Sequence, residues 1–339
     1  MIHHDAMLIL QSSAHEPAVA SFGRRAWYLI FAAAMWLAAA NGLRVAVAGS
    51  DQQAVFGAPE EAAEALVNAL HEGDTQRAEN ILGVEGEKLL HSGDPIADRK
   101  ALQRFVAAYG ARHRFTYENA NKAVLHVGQE DWPLPIPIVR ENSAWRFDSA
   151  AGAEEILNRR IGKNELNAMQ VCLAIVDAQR EYAAVDHDGS GVRAFARRFV
   201  STTGTRDGLY WATEDAEEPS PLGPLVAHAV EEGYPASPTA GKPTPYHGYF
   251  YRILTAQGGH AKGGAYDYLV DGRMVGGFGL VAYPARYGVS GIMTLIVNHD
   301  GVIYEKDLGE DTLRLARGMT KFDPDASWRK VENAVKPGS

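Results

Sequence analysis

One cysteine, Cys172, occurs in 339 residues, so no disulfide can form within the chain and the fold must be held by packing alone. Positive charge is also scarce. Thirty-three Lys and Arg face 42 Asp and Glu, a formal net charge of -9, and the basic residues are scattered rather than grouped. Nucleic-acid binding releases counterions from a basic face, which this composition does not supply. A long hydrophobic run is missing too. The greasiest stretch, Ala26 to Ala40, is shorter than the ~20 residues that a spanning helix needs, and Asn41, Gly42 and Arg44 interrupt any extension. What remains is globular in character: 46% hydrophobic and 22% charged residues are enough for a packed core and too apolar for a disordered chain.

The short apolar run reads as an export signal. Arg24 and Arg25 precede it, and Ala46-Val47-Ala48 offers small residues for cleavage before Gly49. Residues 1–48 are therefore expected to be a signal peptide with an over-long start, the alternative being an uncleaved anchor. The mature chain is expected in the periplasm or outside the cell, with no membrane association after cleavage. Cys172 lies in the apolar stretch Val171-Cys172-Leu173-Ala174-Ile175-Val176 and reads as a buried, inert thiol.

Periodicity divides the rest near residue 150. In 49–150, Pro59, Glu60 and Glu61 open a helix with Ala62, Ala65, Leu66 and Ala69 on one face. Asp94-Pro95 caps another helix, carrying Leu102, Phe105, Val106 and Tyr109. Strand-like pieces follow at 115–117, 123–127, 135–140 and 144–148, giving helices and then a curved antiparallel sheet. In 151–339 a helical region begins at Glu154, and Asn164 is expected to cap a longer helix bearing Leu166, Met169, Val171, Leu173, Ile175, Val176 and Tyr182. Phe195 and Phe199 stand at helical spacing, and Leu225 to Val230 reads as a short helix. From Tyr246 to Leu308, three Tyr-rich segments separated by Gly and Asp-Gly turns predict an antiparallel β-meander. The fold class expected is α+β: a helix-plus-sheet first domain, then a long helix packed on the meander.

Taken together, these stretches resemble the exported bacterial family catalogued as domain of unknown function 2950. The likeness lies in Phe56 to Ala62, Ser92-Gly93-Asp94 with Ala97-Asp98, Pro135 to Arg140, Trp145 to Asp148, Ala178 to Tyr182, Arg206 to Trp211 and most of Tyr246 to Gly309. It implies a location and no activity. In layout the first domain is similar to the cone-shaped nuclear-transport-factor-2-like fold. The second is similar to type IV pilin and pseudopilin heads, without their N-terminal processing site. Fold does not fix function.

Three groups of side chains carry candidate chemistry. Asp186, Asp188 and Ser190 alternate around Gly189 and Gly191, an arrangement able to offer several oxygens to calcium, although Arg197 stands where an EF-hand needs a bidentate Glu. The same residues also build a plain turn. His71, His91, Asp94, Asp98 and His126 are the acids and imidazoles available to a pocket in the first domain, with Asp94 and Asp98 also explained as a cap and a first-turn acid. Tyr249, Tyr251, Tyr266, Tyr268 and His247, with His260 and Lys262 nearby, form a candidate binding face for an envelope protein, peptide or glycan. The alternative is that the tyrosines fill a sheet core. Histidine spacing is not that of a zinc site, and Ser290 lacks the Gly-x-Ser-x-Gly elbow. The expectation is a non-catalytic envelope binding or assembly factor. The alternatives are a small-molecule enzyme using a first-domain pocket, and a calcium-stabilised structural module. No cofactor other than calcium is implied.

Overall fold

A computed structural model of the chain describes residues 53–213, 219–236 and 243–332. These fall within one compact unit, Ser50–Ser339. The expected leader, 1–48, lies outside the described residues.

Four helices come first: α1 Pro59–Glu72, α2 Thr75–Leu82, α3 Gly86–Leu90 and α4 Pro95–Ala111. Their ends follow local chemistry. Pro59 sits in the first turn of α1, Glu60 and Glu61 lie at its positive end, and Gly73 closes it at φ 73°. The carboxylates of Asp74 and Asp94 accept the backbone N–H groups of Arg77 and Ala97 at 3.0 and 3.1 Å, capping α2 and α4. Strands β1 His113–Asn119, β2 Lys122–Val127, β3 Trp132–Pro133, β4 Ile138–Glu141 and β5 Ala144–Phe147 then form an antiparallel sheet in the order β1-β2-β4-β5, with β3 on β2. Period-two alternation turns Ala123, Leu125 and Val127 of β2 inward. They pack with Leu66, Ile81, Ile138 and Phe147, so the space between helices and sheet is filled by side chains.

A single helix, α5 Ser149–Tyr182, leaves this layer and runs for 34 residues. Residue 150 lies in its first turn. Ala153 belongs to the first core, whereas Ala168, Val171, Cys172, Ile175 and Val176 belong to the second. In its first turn the helix approaches the sheet so closely that a Cβ on Gly152 would stand 2.6 Å from the Pro135 carbonyl carbon. The expected helix start at Asn164 is corrected here. Asn164 is internal to α5, and its amide donates to the Ser290 carbonyl at 2.9 Å. Leu166, expected on the apolar face, is 65% exposed.

After α5 come α6 Gly223–Glu231 and the strands β6 Tyr249–Leu254, β7 Ala256–Gln257, β8 Tyr266–Asp267, β9 Leu269–Val270, β10 Arg273–Met274, β11 Gly279–Pro284, β12 Met293–Asn298 and β13 Tyr304–Asp307. Helix α7 Thr312–Gly318 and strands β14 Lys321–Phe322 and β15 Arg329–Lys330 close the described chain. The main sheet is antiparallel throughout, ordered β15-β13-β12-β11-β6, so the expected meander is present. Every residue of β11 is buried because both faces are covered. Leu280 and Ala282 pack in the core that α5 shares, while Val281 and Tyr283 pack with Ala316 of α7. The described chain is α+β: helices with antiparallel sheets, apart from a short parallel pairing of β14 with β7.

The segment after α5 does not continue as helix, contrary to the spacing of Phe195 and Phe199. Helix α5 already stops at Tyr182, and Gly189 and Gly191 then take φ of 68° and 79°, a left-handed backbone outside any helix. The backbone N–H of Phe195 then donates to Met274 (2.8 Å), and that of Tyr210 donates to Phe199 (2.8 Å). Extended pairing satisfies these groups where a helix would have done so.

Asp94 and Arg286 both tie the halves of this unit together. Asp94 is fully buried, and its second oxygen accepts the Tyr234 hydroxyl at 2.8 Å and the Gly248 N–H at 2.9 Å. Arg286 grips both carboxylate oxygens of Glu87 at 2.8 and 3.0 Å. That guanidinium holds the Glu87 carboxyl below its ordinary range.

Candidate functional site

A groove of about 1170 Å³ lies at the C-terminal end of α5, bounded by the turn at 186–191, the extended stretch to Trp211 and strand β10. Aromatic side chains form its wall. The Tyr182 ring stacks on His187 at 4.0 Å, His187 meets Trp211 edge-on at 5.6 Å, and the Arg206 guanidinium lies 5.2 Å over the Trp211 ring. The Tyr182 hydroxyl donates to the Arg206 carbonyl at 2.7 Å, which fixes the wall to the loop beyond it. Trp211 is mostly buried, and among the described residues its indole N–H has no hydrogen-bond partner.

Hydroxyls and charges line the rim. Thr202, Thr203 and Thr205 are exposed, with Arg197, Arg206 and Arg273 close by. The rim acids are held in place. Asp207 accepts the Thr202 N–H (2.7 Å), the Thr202 hydroxyl (2.9 Å) and the Thr205 hydroxyl (2.9 Å). Asp186 accepts the N–H groups of Asp188 (3.2 Å) and Gly191 (2.7 Å). Asp188 accepts the N–H of Ser190 (3.0 Å) and the Arg273 guanidinium (3.2 Å). Those hydrogen bonds, from Ser190 above all, hold the Asp188 carboxyl below its ordinary range. Asp186, Asp188 and Ser190 are thus brought together as a turn closed on its own backbone, with Ser190 Oγ accepting the Val192 N–H at 3.3 Å. Among the described residues no cluster of three or more His, Cys, Asp or Glu side chains is placed to hold a metal ion.

A second, smaller cleft of about 190 Å³ lies between Leu89 and Leu90, helices α4 and α5, and the residues Glu232, Tyr234 and His247. Asp98 lines it. Burial raises its carboxyl pKa, opposed by a hydrogen bond from the Ser92 N–H at 2.9 Å. His247 stands at φ 52°, with Nε2 3.5 Å from a Glu232 oxygen. Burial pulls the imidazole pKa down against the attraction of that carboxylate.

Among the five acids and imidazoles foreseen for a first-domain pocket, Asp98 alone lines either hollow, with Asp94 buried beside it. His71 is exposed, and His91 pairs with Glu79 at 2.9 Å. His126 lies on the outward face of β2, bonded to Thr116 at 2.9 Å. The five residues foreseen as one binding face are not on one surface. Tyr249 and Tyr268 are fully buried, with hydroxyls donating to the Met293 carbonyl (2.9 Å) and to Gln257 (3.0 Å). Tyr251 is partly covered and donates to the Tyr246 carbonyl at 3.3 Å. Tyr266 is 39% exposed, and His247 belongs to the small cleft. His260 sits exposed against Asp323 at 3.1 Å. Ser290 is buried, its hydroxyl donating to Arg286 at 3.1 Å. Cys172 is fully buried, and burial alone drives its thiol pKa upward, away from thiolate chemistry.

Sequence reasoning did not foresee the groove residues Thr202, Thr205, Asp207 and Trp211. For Asp207 and Trp211 a signal was present in the stretch Arg206 to Trp211, which carries part of the family likeness but no motif of known chemistry; Thr202 and Thr205 lie outside it.

The model of a family described as "Protein of unknown function (DUF2950)" matches residues 53–331, most of the chain, and the chain belongs to that family. No curated protein matches it. No solved structure matches it.

Proposed function

We propose that this DUF2950 protein is a non-catalytic binding protein of the bacterial cell envelope, and that its groove takes a hydroxyl-rich chain, a glycan. The observation that carries this reading is the pairing of an aromatic wall with a hydroxyl and guanidinium rim in a hollow of about 1170 Å³. Sugar rings stack their C–H faces on aromatic rings and exchange hydrogen bonds with Thr, Asp and Arg. The unpartnered Trp211 N–H is a donor that a sugar oxygen would satisfy after a small shift of the loop.

Binding rather than catalysis is supported by the state of the acids. The carboxylates of Asp186, Asp188 and Asp207 are engaged by backbone, hydroxyl or guanidinium donors. A general base needs an acceptor free to reach substrate. The envelope location rests on the leader-like start, and the described residues hold no helix long and apolar enough to cross a membrane. In this reading α5 with its meander serves as a pilin-head-like platform that presents the groove.

The test is retention of the full chain on purified peptidoglycan sacculi and on an array of bacterial glycans, beside the variant Thr202→Ala/Thr205→Ala. Saturable retention that weakens in the variant supports the proposal. If no glycan retains the protein while a small metabolite co-purifies with it, the proposal fails.

A further inference from the structure

We propose that the small cleft between α4, α5 and His247 is a binding site for a small anion carrying a carboxylate or phosphate group. In a chain of net charge -9, this hollow is lined by Lys100, Arg104, Arg160 and Lys163, against the two carboxylates of Asp98 and Glu232. The local excess is positive where the whole is negative.

The cations converge by helix geometry. Lys100 and Arg104 are four residues apart on α4, and Arg160 and Lys163 are three apart on α5, so each pair shares a helix face. Both faces line the same cleft. Among the described residues, Lys100, Arg104 and Lys163 make no ion pair or side-chain hydrogen bond, in contrast to Arg77, Arg114, Arg146 and Arg286, each held by a carboxylate. Arg160 is anchored instead by main chain. Its terminal nitrogens donate to the carbonyls of Lys88, at 2.9 Å, and Leu89. A guanidinium fixed in this way is oriented before any ligand arrives, which lowers the cost of ordering it on binding. Its burial also disfavours its own charge, a penalty that an incoming anion would relieve.

The remaining lining fits a small polar molecule. Asn167 offers an amide, Leu89 and Leu90 give an apolar floor, and about 190 Å³ accommodates a ligand of a few heavy atoms rather than a polymer. Asp98 is the counterweight within the site. Burial raises the pKa of its carboxyl, and one carboxylate oxygen is already engaged by the Ser92 N–H at 2.9 Å.

Inorganic phosphate and malonate are the probes, titrated separately into the full chain and followed by calorimetry at low ionic strength. Saturable binding of either is expected, and the tighter of the two identifies the group preferred. Lys163→Ala and Arg104→Gln should each weaken binding about five- to tenfold. Asp98→Asn should strengthen it, an effect in the opposite direction that unfolding cannot mimic. Arg99→Gln, on the same helix but outside the lining, should leave affinity unchanged. Absence of saturable binding by both probes overturns the proposal. So does an Arg99→Gln loss as large as that of Arg104→Gln, which would reveal diffuse attraction instead of a site.

Discussion

Removing the Asp94 carboxylate should cost more than any cap alone explains. One oxygen caps α4 through the Ala97 N–H, while the other accepts the Tyr234 hydroxyl and the Gly248 N–H, 140 and 154 residues away in sequence. A lost cap typically costs ~1 kcal/mol, and hydrogen bonds to charged acceptors are worth ~1.5–3 kcal/mol each. Asp94→Ala also strands a hydroxyl and an N–H in a region where Tyr234 is only 7% exposed. Because the three contacts share one group they are not additive, and about 4 kcal/mol is expected in total. For a unit of this size that lowers Tm by about 10 °C. Tyr234→Phe removes one donor and leaves the carboxylate its two N–H partners, so about 1 kcal/mol is expected. In the double variant the Tyr234 effect should largely vanish, giving a coupling of about 1 kcal/mol. Urea unfolding followed by circular dichroism on all four proteins measures the cycle. An Asp94→Ala loss below about 1 kcal/mol, or a strictly additive cycle, would refute the reasoning that this carboxylate joins the two halves.

Two further outcomes are expected. His247 faces Glu232, Asp94, His228 and Lys163, and burial keeps its folded pKa below the ordinary 6.5. The unfolded chain therefore binds the proton first, and stability contributed by the neutral ring is lost as pH falls through about 6.5 toward the folded value. His247→Asn removes that titration and suits the left-handed backbone at φ 52°. Its Tm should drop less than that of the parent between about pH 7.5 and about pH 5.5, and equal drops would count against the assignment. Asp98, raised by burial, acts in the opposite sense, its contribution falling as pH rises above 3.8, but it is common to both proteins. Calcium should leave Tm unchanged, because the oxygens of Asp186 and Asp188 already serve Gly191, Ser190 and Arg273. A rise of several degrees, abolished by Asp186→Asn/Asp188→Asn, would show that the ion can displace those donors.

What was legible in the sequence is what neighbours decide. Pro59, Asp94 and Gly73 mark helix ends through contacts within one turn, and the meander follows from alternation and Gly turns, so these elements appear where their residues point. Asn164 and Phe195 misled for the same reason. Each fits a local rule, but Asn164 is claimed by Ser290, 126 residues on, and the Phe195 N–H by Met274. The buried tyrosines show a further limit. Alternation assigns the side chains of β6 to faces, yet it cannot say that Tyr249, with Tyr268 from the bend between β8 and β9, packs into the core that α5 shares. Both hollows are assembled from stretches far apart in sequence, so no window along the chain contains one: the groove joins residues near 182, 205 and 273, and the cleft joins residues near 98, 163 and 247. Asp94 unites the two regimes. Its first oxygen obeys the local rule and was readable as a cap, while its second answers to a tyrosine and a glycine that only the folded chain brings near.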